Sequence, residues 1–240
     1  MDAGPRAERH AEDQAAFCGD CAFGRVCANA ELDRLGLSEL NVLAVHDGPF
    51  RNGQAIFRTG QRFNSIYAVR RGAIKTCRVD ELGREHVLGF ALPGEMVGLS
   101  GIHSGTYRCD AIALETVSVC RFSFPALANL AEHAPKLQRE LFRLLSQDIA
   151  KATLLAGDWT AEERLAALLV HLAERSGDAR AVHLPMSRAD IANYLRLATE
   201  TVSRVLHRLR SRGLIRVAGR DITFRDPEAL HSMARAILEN

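Results

Sequence analysis

The sequence predicts an α+β chain in which an antiparallel β domain is followed by a long helix and then by a small helical domain that ends in a hairpin. Three observations carry that expectation. Residues 45–125 are broken by glycines at 48, 53, 60, 72, 83, 89, 94 and 98 into short runs such as HVLGFAL and TVSVCRFSF, the signature of many short strands in a sandwich or barrel. Past Pro125 the apolar period lengthens to that of a helix. Residues 186–224 then hold two short helical patterns and the hairpin-like LIRVAGRDITF. With 240 residues, 47% hydrophobic and 25% charged, the chain is long enough to bury one large core or two ordinary ones.

Taken in order, MDAGPRAERHAEDQ is polar and charged without an apolar run, so it reads as a frayed tail and not a signal peptide. CGDCAFGRVC follows and gathers Cys18, Cys21 and Cys27 at C-x2-C-x5-C spacing. The longest apolar stretch, LAALLVHLA (165–173), falls far short of the roughly 20 residues that span a bilayer. A cytoplasmic protein without membrane contact is therefore expected, with thiols kept reduced and clustered cysteines serving as metal ligands more often than disulfides. Leu137, Leu141, Leu144, Leu145, Ile149, Ala152 and Leu155 keep one apolar stripe through a helix expected near 135–156. That stripe can pack on its own β domain or pair with its copy in a second chain, with Leu141, Leu145, Ile149 and Ala152 at the contact. The expected divisions are a tail and cysteine loop over 1–30, the β domain over 31–134, the long helix over 135–157 and the last domain over 158–240.

The formal net charge is only +2, yet eight arginines stand between Arg196 and Arg225 against Glu200 and Asp221 alone. A charge run is often just a solvated helix face, and the pattern inside this one decides. Ser187 and Asp190 have the spacing of a capping box that starts a short helix through Leu195. After a short turn, a second helix is expected over about 199–211, ended by Gly213. Val202, Val205, Leu206 and Leu209 form its apolar stripe, and Glu200, Ser203, Arg204 and His207 its polar face. Arginine can donate two bonds to guanine, glutamate can accept from cytosine, and serine can bond a base or touch a thymine methyl. Arg208, Arg210 and Arg212 flank the helix for phosphates, and the segment turning at Gly219 reads as a wing. The expectation is a winged helix-turn-helix that binds double-stranded DNA. Ala198 stands where a capping hydroxyl is usual, so Thr199 is expected to cap.

This order of parts resembles the CRP/FNR family of transcription regulators over nearly the whole chain. The resemblance implies a cyclic-nucleotide-binding-like antiparallel β-roll, a long dimerisation helix and a winged helix-turn-helix. Glu200-Thr201-Val202-Ser203-Arg204, with AEERLAA (161–167) and ALETVSVC (113–120), resembles the FNR branch, which implies a homodimer on a palindrome close to TTGAT-N4-ATCAA. Thr199, Glu200, Ser203, Arg204, His207 and Arg208 are the expected DNA-binding residues. Contacts to RNA polymerase are implied for loops such as Asp80-Glu81-Leu82-Gly83. Where the cyclic-nucleotide branch grips its ligand, this chain has Gly98-Leu99 and Arg108-Cys109. Leucine cannot accept a ribose hydroxyl bond, so cyclic AMP is not the expected signal.

Soft thiolate donors suit a structural zinc or an iron–sulfur cluster. The FNR resemblance implies a [4Fe-4S] cluster on Cys18, Cys21, Cys27 and Cys120, with Cys109 and then Cys77 as rivals for the fourth position. It further implies an oxygen-responsive switch in which the anoxic dimer binds DNA. Ala150 and Ala152 stand in a stretch where FNR proteins place an acidic residue that weakens the dimer, so dimerisation here is expected to depend less on the cluster. A second reading keeps the fold but gives the β-roll another small ligand or haem, with zinc or nothing on the thiols. Neither a Ser-His-Asp nor a paired-carboxylate arrangement stands out among nine histidines and twenty-nine acids, and an enzyme is not expected.

Overall fold

The computed structural model describes residues 43–153 and 157–238. The expected tail and the loop of Cys18, Cys21 and Cys27 lie outside the described residues. Two compact units emerge, the described residues of Met1–Thr76 with Phe90–Asp148, and those of Cys77–Gly89 with Ile149–Asn240. This division differs from the sequence expectation in two respects: a hairpin end taken from the middle of the β domain groups with the C-terminal unit, and the long helix expected over 135–157 is divided between Asp148 and Ile149.

The strands of the β domain are β1 (Ala44–Phe50), β2 (Ala55–Phe57), β3 (Ser65–Arg71), β4 (Ile74–Val79), β5 (Glu85–Ala91), β6 (Met96–Val97), β7 (Asp110–Ala113) and β8 (Val117–Ser123). They form two four-stranded sheets, β1-β8-β3-β6 and β2-β7-β4-β5. The pairs β1–β8, β3–β8, β3–β6 and β2–β7 are all antiparallel. One turn of helix, α1 (Gly101–Ser104), sits between β6 and β7, and α2 (Phe124–His133) and α3 (Pro135–Thr153) follow β8.

The two-residue period of a strand sends β8 side chains into two cores. Val117 and Val119 join Phe57, Val69, Ile74, Tyr107, Cys109 and Ala111 between the sheets. Cys120 and Phe122 join Ile66, Ala68, Leu127, Ala131, Leu137 and Leu144 on the face covered by α2 and α3. A strand buried on both faces explains why the sequence alternation over 117–122 is blurred.

The described part of α3 bears out the helical period from Pro135 and divides the expected stripe. Leu137 and Leu144 are buried, with Leu141 and Leu145 half-buried against the same core. Ile149 is 67% exposed, and so is Phe142 at 61%, which the sequence reading passed over. The side chain of Ala152 and residue Leu155 fall outside the described residues.

The second unit contains α4 (Ala161–Ser176), β9 (Ala181–His183), α5 (Arg188–Leu195), α6 (Thr199–Ser211), β10 (Ile215–Ala218), β11 (Asp221–Phe224) and α7 (Pro227–Leu238). A complete capping box starts α4: Thr160 Oγ1 accepts from the Glu163 amide and the Glu163 carboxylate accepts from the Thr160 amide. Its interior is buried from Leu165 to Val170 without a break. Strands β10, β11 and β9 form a small antiparallel sheet. The hairpin end belongs to this unit through Asn193 of α5, whose Nδ2 donates to the Glu85 carbonyl at 2.6 Å while its Oδ1 accepts from the Val87 amide at 2.8 Å. The hairpin's own turn is held by Asp80, which accepts from the amides of Leu82 and Arg84 and bonds the side chains of Arg84 and His86.

Candidate nucleic-acid interface

Two helices and a tight turn build the interface. Ser187 caps α5 as expected, its Oγ accepting from the Asp190 amide at 3.0 Å while Asp190 Oδ2 accepts from the Ser187 amide at 3.0 Å. The helix stops at Arg196, whose φ of 56° is left-handed and sends its amide back to the Ala192 and Asn193 carbonyls. A left-handed residue reverses the chain within a short turn and is usually glycine or asparagine. Three residues, Arg196, Leu197 and Ala198, then separate α5 from α6. The expectation that Thr199 caps α6 is corrected: Ala198 is the cap residue, and no side chain bonds the first-turn amides. Glu200 in that turn meets the helix dipole's positive end instead.

The periodicity of α6 is as read. Val202, Val205, Leu206 and Leu209 are buried, and Thr199, Glu200, Ser203, Arg204, His207 and Arg208 are all exposed. Ser203, Arg204, His207, Arg208 and Ser211 line a shallow surface concavity of about 430 Å³. The wing turns between Ala218 and Asp221 with Gly219 at φ 64°, a left-handed position suited to glycine. Arg220 beside it donates to the Pro185 carbonyl at 3.1 Å, so this arginine braces the wing.

Two contacts that hold the helices were not read from the sequence. Arg164 of α4 donates to three carbonyls, those of Gly157, Trp159 and Leu195, at 3.1, 3.0 and 3.2 Å. Glu162 accepts from Arg208 Nη1 at one carboxylate oxygen and from Arg212 Nη1 at the other, the latter at 3.1 Å. The first-turn acid of AEERLAA was the only signal, and spacing alone does not give it a partner 46 or 50 residues away.

In the first unit, Cys120 is buried in β8 and lies opposite His46 of β1 and Ala68 of β3. Burial, followed by the charge of Arg70, lowers the His46 pKa. Leu43 and Ala44, the first described residues, pack on the core that contains Cys120. Cys109 is buried in the other core, beside Tyr107 and Phe57, and Cys77 is buried in β4. Among the described residues no group of three or more His, Cys, Asp or Glu could hold a metal ion. Within the core between the sheets, Phe57, Phe63, Tyr67 and Tyr107 pack ring on ring. Tyr107 stacks on Phe57 with centroids 4.0 Å apart, and its hydroxyl donates to the Ser65 carbonyl at 2.8 Å. Burial, and then the hydrogen bond with Tyr107, push the Tyr67 phenol above its ordinary range.

Comparison with known proteins matches the two parts separately. Residues 48–134 match the cyclic nucleotide-binding domain, and residues 163–233 the Crp-like helix-turn-helix domain. The transcriptional activator protein anr of Pseudomonas aeruginosa is 40% identical over 231 residues, 93% of this chain and 95% of that protein. The fumarate and nitrate reduction regulatory protein of Salmonella typhi is 37% identical, over 92% of this chain and 91% of that protein. Among solved structures, FixK2 of Bradyrhizobium japonicum superposes with a TM-score of 0.72 at 31% identity, over 79% of this chain and 96% of that one. Two matched domains in the expected order, with relatives this similar over nearly the whole length, show that the chain belongs to the CRP/FNR family of transcription regulators, in its FNR-type branch.

Proposed function

We propose that the protein is a cytoplasmic, oxygen-responsive transcription regulator that binds, as a homodimer under anoxia, a palindrome close to TTGAT-N4-ATCAA. The observation that carries the reading is the face of α6, where Glu200, Ser203 and Arg204 stand exposed on a helix whose other face is locked into the domain. Arg204 can reach a guanine edge, Glu200 a cytosine amine and Ser203 a neighbouring base, while Thr199, His207 and Arg208 lie along the same face. Two such helices are needed for two half-sites. Phe142 and Ile149, exposed on α3 at i and i+7, supply an apolar stripe for the partner copy, and Leu145 flanks it. Leu141 belongs more to its own core. The turn at Asp80-Glu81-Leu82-Gly83, with Leu82 76% exposed, is a candidate surface for RNA polymerase.

The signal in this proposal is a [4Fe-4S] cluster held by Cys18, Cys21, Cys27 and Cys120. The donor set fits, since four thiolates are what such a cluster requires. Cys120 is favoured over Cys109 because β1, the first described strand after the N-terminal cysteines in the sequence, places His46 opposite Cys120 in β8. When bound, the cluster would supply an oxygen-labile link between that segment and the β-roll. Cys120 would anchor it to a buried strand, and the three N-terminal thiols would tie their segment to the same point. The aromatic packing around Tyr107 supports a β-roll that does not take cyclic AMP.

The test is iron and acid-labile sulfide on anaerobically purified protein, followed by its visible spectrum as air is admitted. About four of each per chain, with a brown colour that bleaches or shifts, is expected. Zinc or no metal would remove the cluster and leave the DNA-reading helix standing.

A further inference from the structure

The arginines of α6 and its end are of two kinds. Arg204 and Arg210 are exposed and make no side-chain hydrogen bond or ion pair among the described residues. Arg208 and Arg212, one turn apart, both give Nη1 to the single carboxylate of Glu162. Their side chains are 59% and 52% exposed and that of Glu162 only 21%, so the acid lies beneath the two cations. Glu162 stands in the first turn of α4, where the helix dipole favours a negative group. One carboxylate shared by two guanidinium groups leaves a single net positive charge where the arginine count alone promises two.

Arginine contacts to phosphate supply affinity that does not depend on sequence, and each neutralised phosphate steepens the salt dependence by about 0.9 in log–log slope. A regulator finds its site among a vast excess of competing DNA, so what matters is the ratio of specific to non-specific binding. We propose that Glu162 is a charge brake on non-specific DNA binding, holding Arg208 and Arg212 so that a phosphate must displace a carboxylate before either arginine contributes. The proposal rests on α6 being the DNA-reading helix. Glu162 is a positioning residue that acts through Arg208 and Arg212 and not on a base. Arg204, which Glu162 does not hold, keeps its donors for a base edge.

The experiment measures binding of the full chain, kept anaerobic, to a scrambled duplex and to the TTGAT-N4-ATCAA duplex across a salt series, with Glu162→Gln as the variant. Glutamine keeps the shape and one acceptor oxygen but removes the charge. Scrambled DNA should bind roughly two- to tenfold tighter, with a salt slope steeper by about 0.9 to 1.8 as one or two phosphate contacts are released. The gain should vanish in the triple variant Glu162→Gln/Arg208→Ala/Arg212→Ala, a pattern that loosened folding would not produce. An unchanged slope, or weaker binding to both duplexes, overturns the brake. Wild-type protein that binds neither duplex in a salt-dependent way overturns the reading of α6 itself, whereas wild-type binding with an unaltered variant removes the brake alone.

Discussion

Strand β8 and helix α6 each carry residues for which we propose a function, and they carry them in opposite ways. In α6 the period of 3.6 separates the faces, so Val202, Val205, Leu206 and Leu209 hold the fold while Glu200, Ser203 and Arg204 face solvent. In β8 the period of two puts both faces inside, and Cys120 shares its core with Phe122, Leu127 and Leu137. An exposed helix face can therefore change with little effect on stability, whereas a strand buried on both faces cannot be altered without touching its packing.

Substitutions on the two elements test that contrast. The largest effect belongs to β8 and the buried side of α6. Phe122→Ala should cost about 3–5 kcal/mol and Leu209→Ala about 2–5 kcal/mol of unfolding free energy in denaturant titrations. Loss below about 1 kcal/mol at either would erase the distinction between the buried and the exposed face. Next comes Arg204→Ala, which should cost about 1–3 kcal/mol of discrimination at one base pair and leave the melting temperature unchanged. Equal loss on matched and scrambled duplexes would make Arg204 a phosphate contact. Ser187→Ala removes the cap of α5 and should cost about 1 kcal/mol of stability, with any loss of DNA affinity following from the fold. The smallest effect is one of pH at the hairpin turn. Hydrogen bonds from His86, and then from Arg84, hold the Asp80 carboxyl well below the usual aspartate range. A folded pKa depressed in this way adds stability that is fully present above the unfolded value of about 3.9 and is lost as pH falls below it. Protection of the Leu82 and Arg84 amides, taken as the exchange rate relative to the intrinsic rate at each pH, should therefore hold at neutral pH and fall only in strong acid, and Asp80→Asn should abolish that dependence.

Much of this was legible in the sequence because the relevant signals are local. The stripe of α6, the Ser187–Asp190 capping box and the wing turn at Gly219 each lie within a few residues, where period and turn chemistry operate. Face assignment on α3 was harder. Leu141 and Leu145 fit the same period as Leu137 and Leu144, and nothing in the spacing separates a half-buried leucine from an exposed Phe142 one residue on. The cap of α6 was misjudged because a threonine next to an alanine suggests a cap, while the backbone places Ala198 at the boundary. Glu162 with Arg208 and Arg212, and Asn193 with Glu85 and Val87, join residues far apart in the chain. Only the folded packing brings such pairs together.

The three-carbonyl grip of Arg164 has a mechanical consequence. Leu195 ends α5, so its carbonyl lacks a partner further along that helix, and Arg164 joins it to the carbonyls of Gly157 and Trp159 at the entry to α4. Gly157 has φ 135°, and a Cβ there would lie 2.6 Å from the Trp159 indole nitrogen. Entry segment and α5 terminus are thus tied to a single guanidinium, beside the turn that leads into α6.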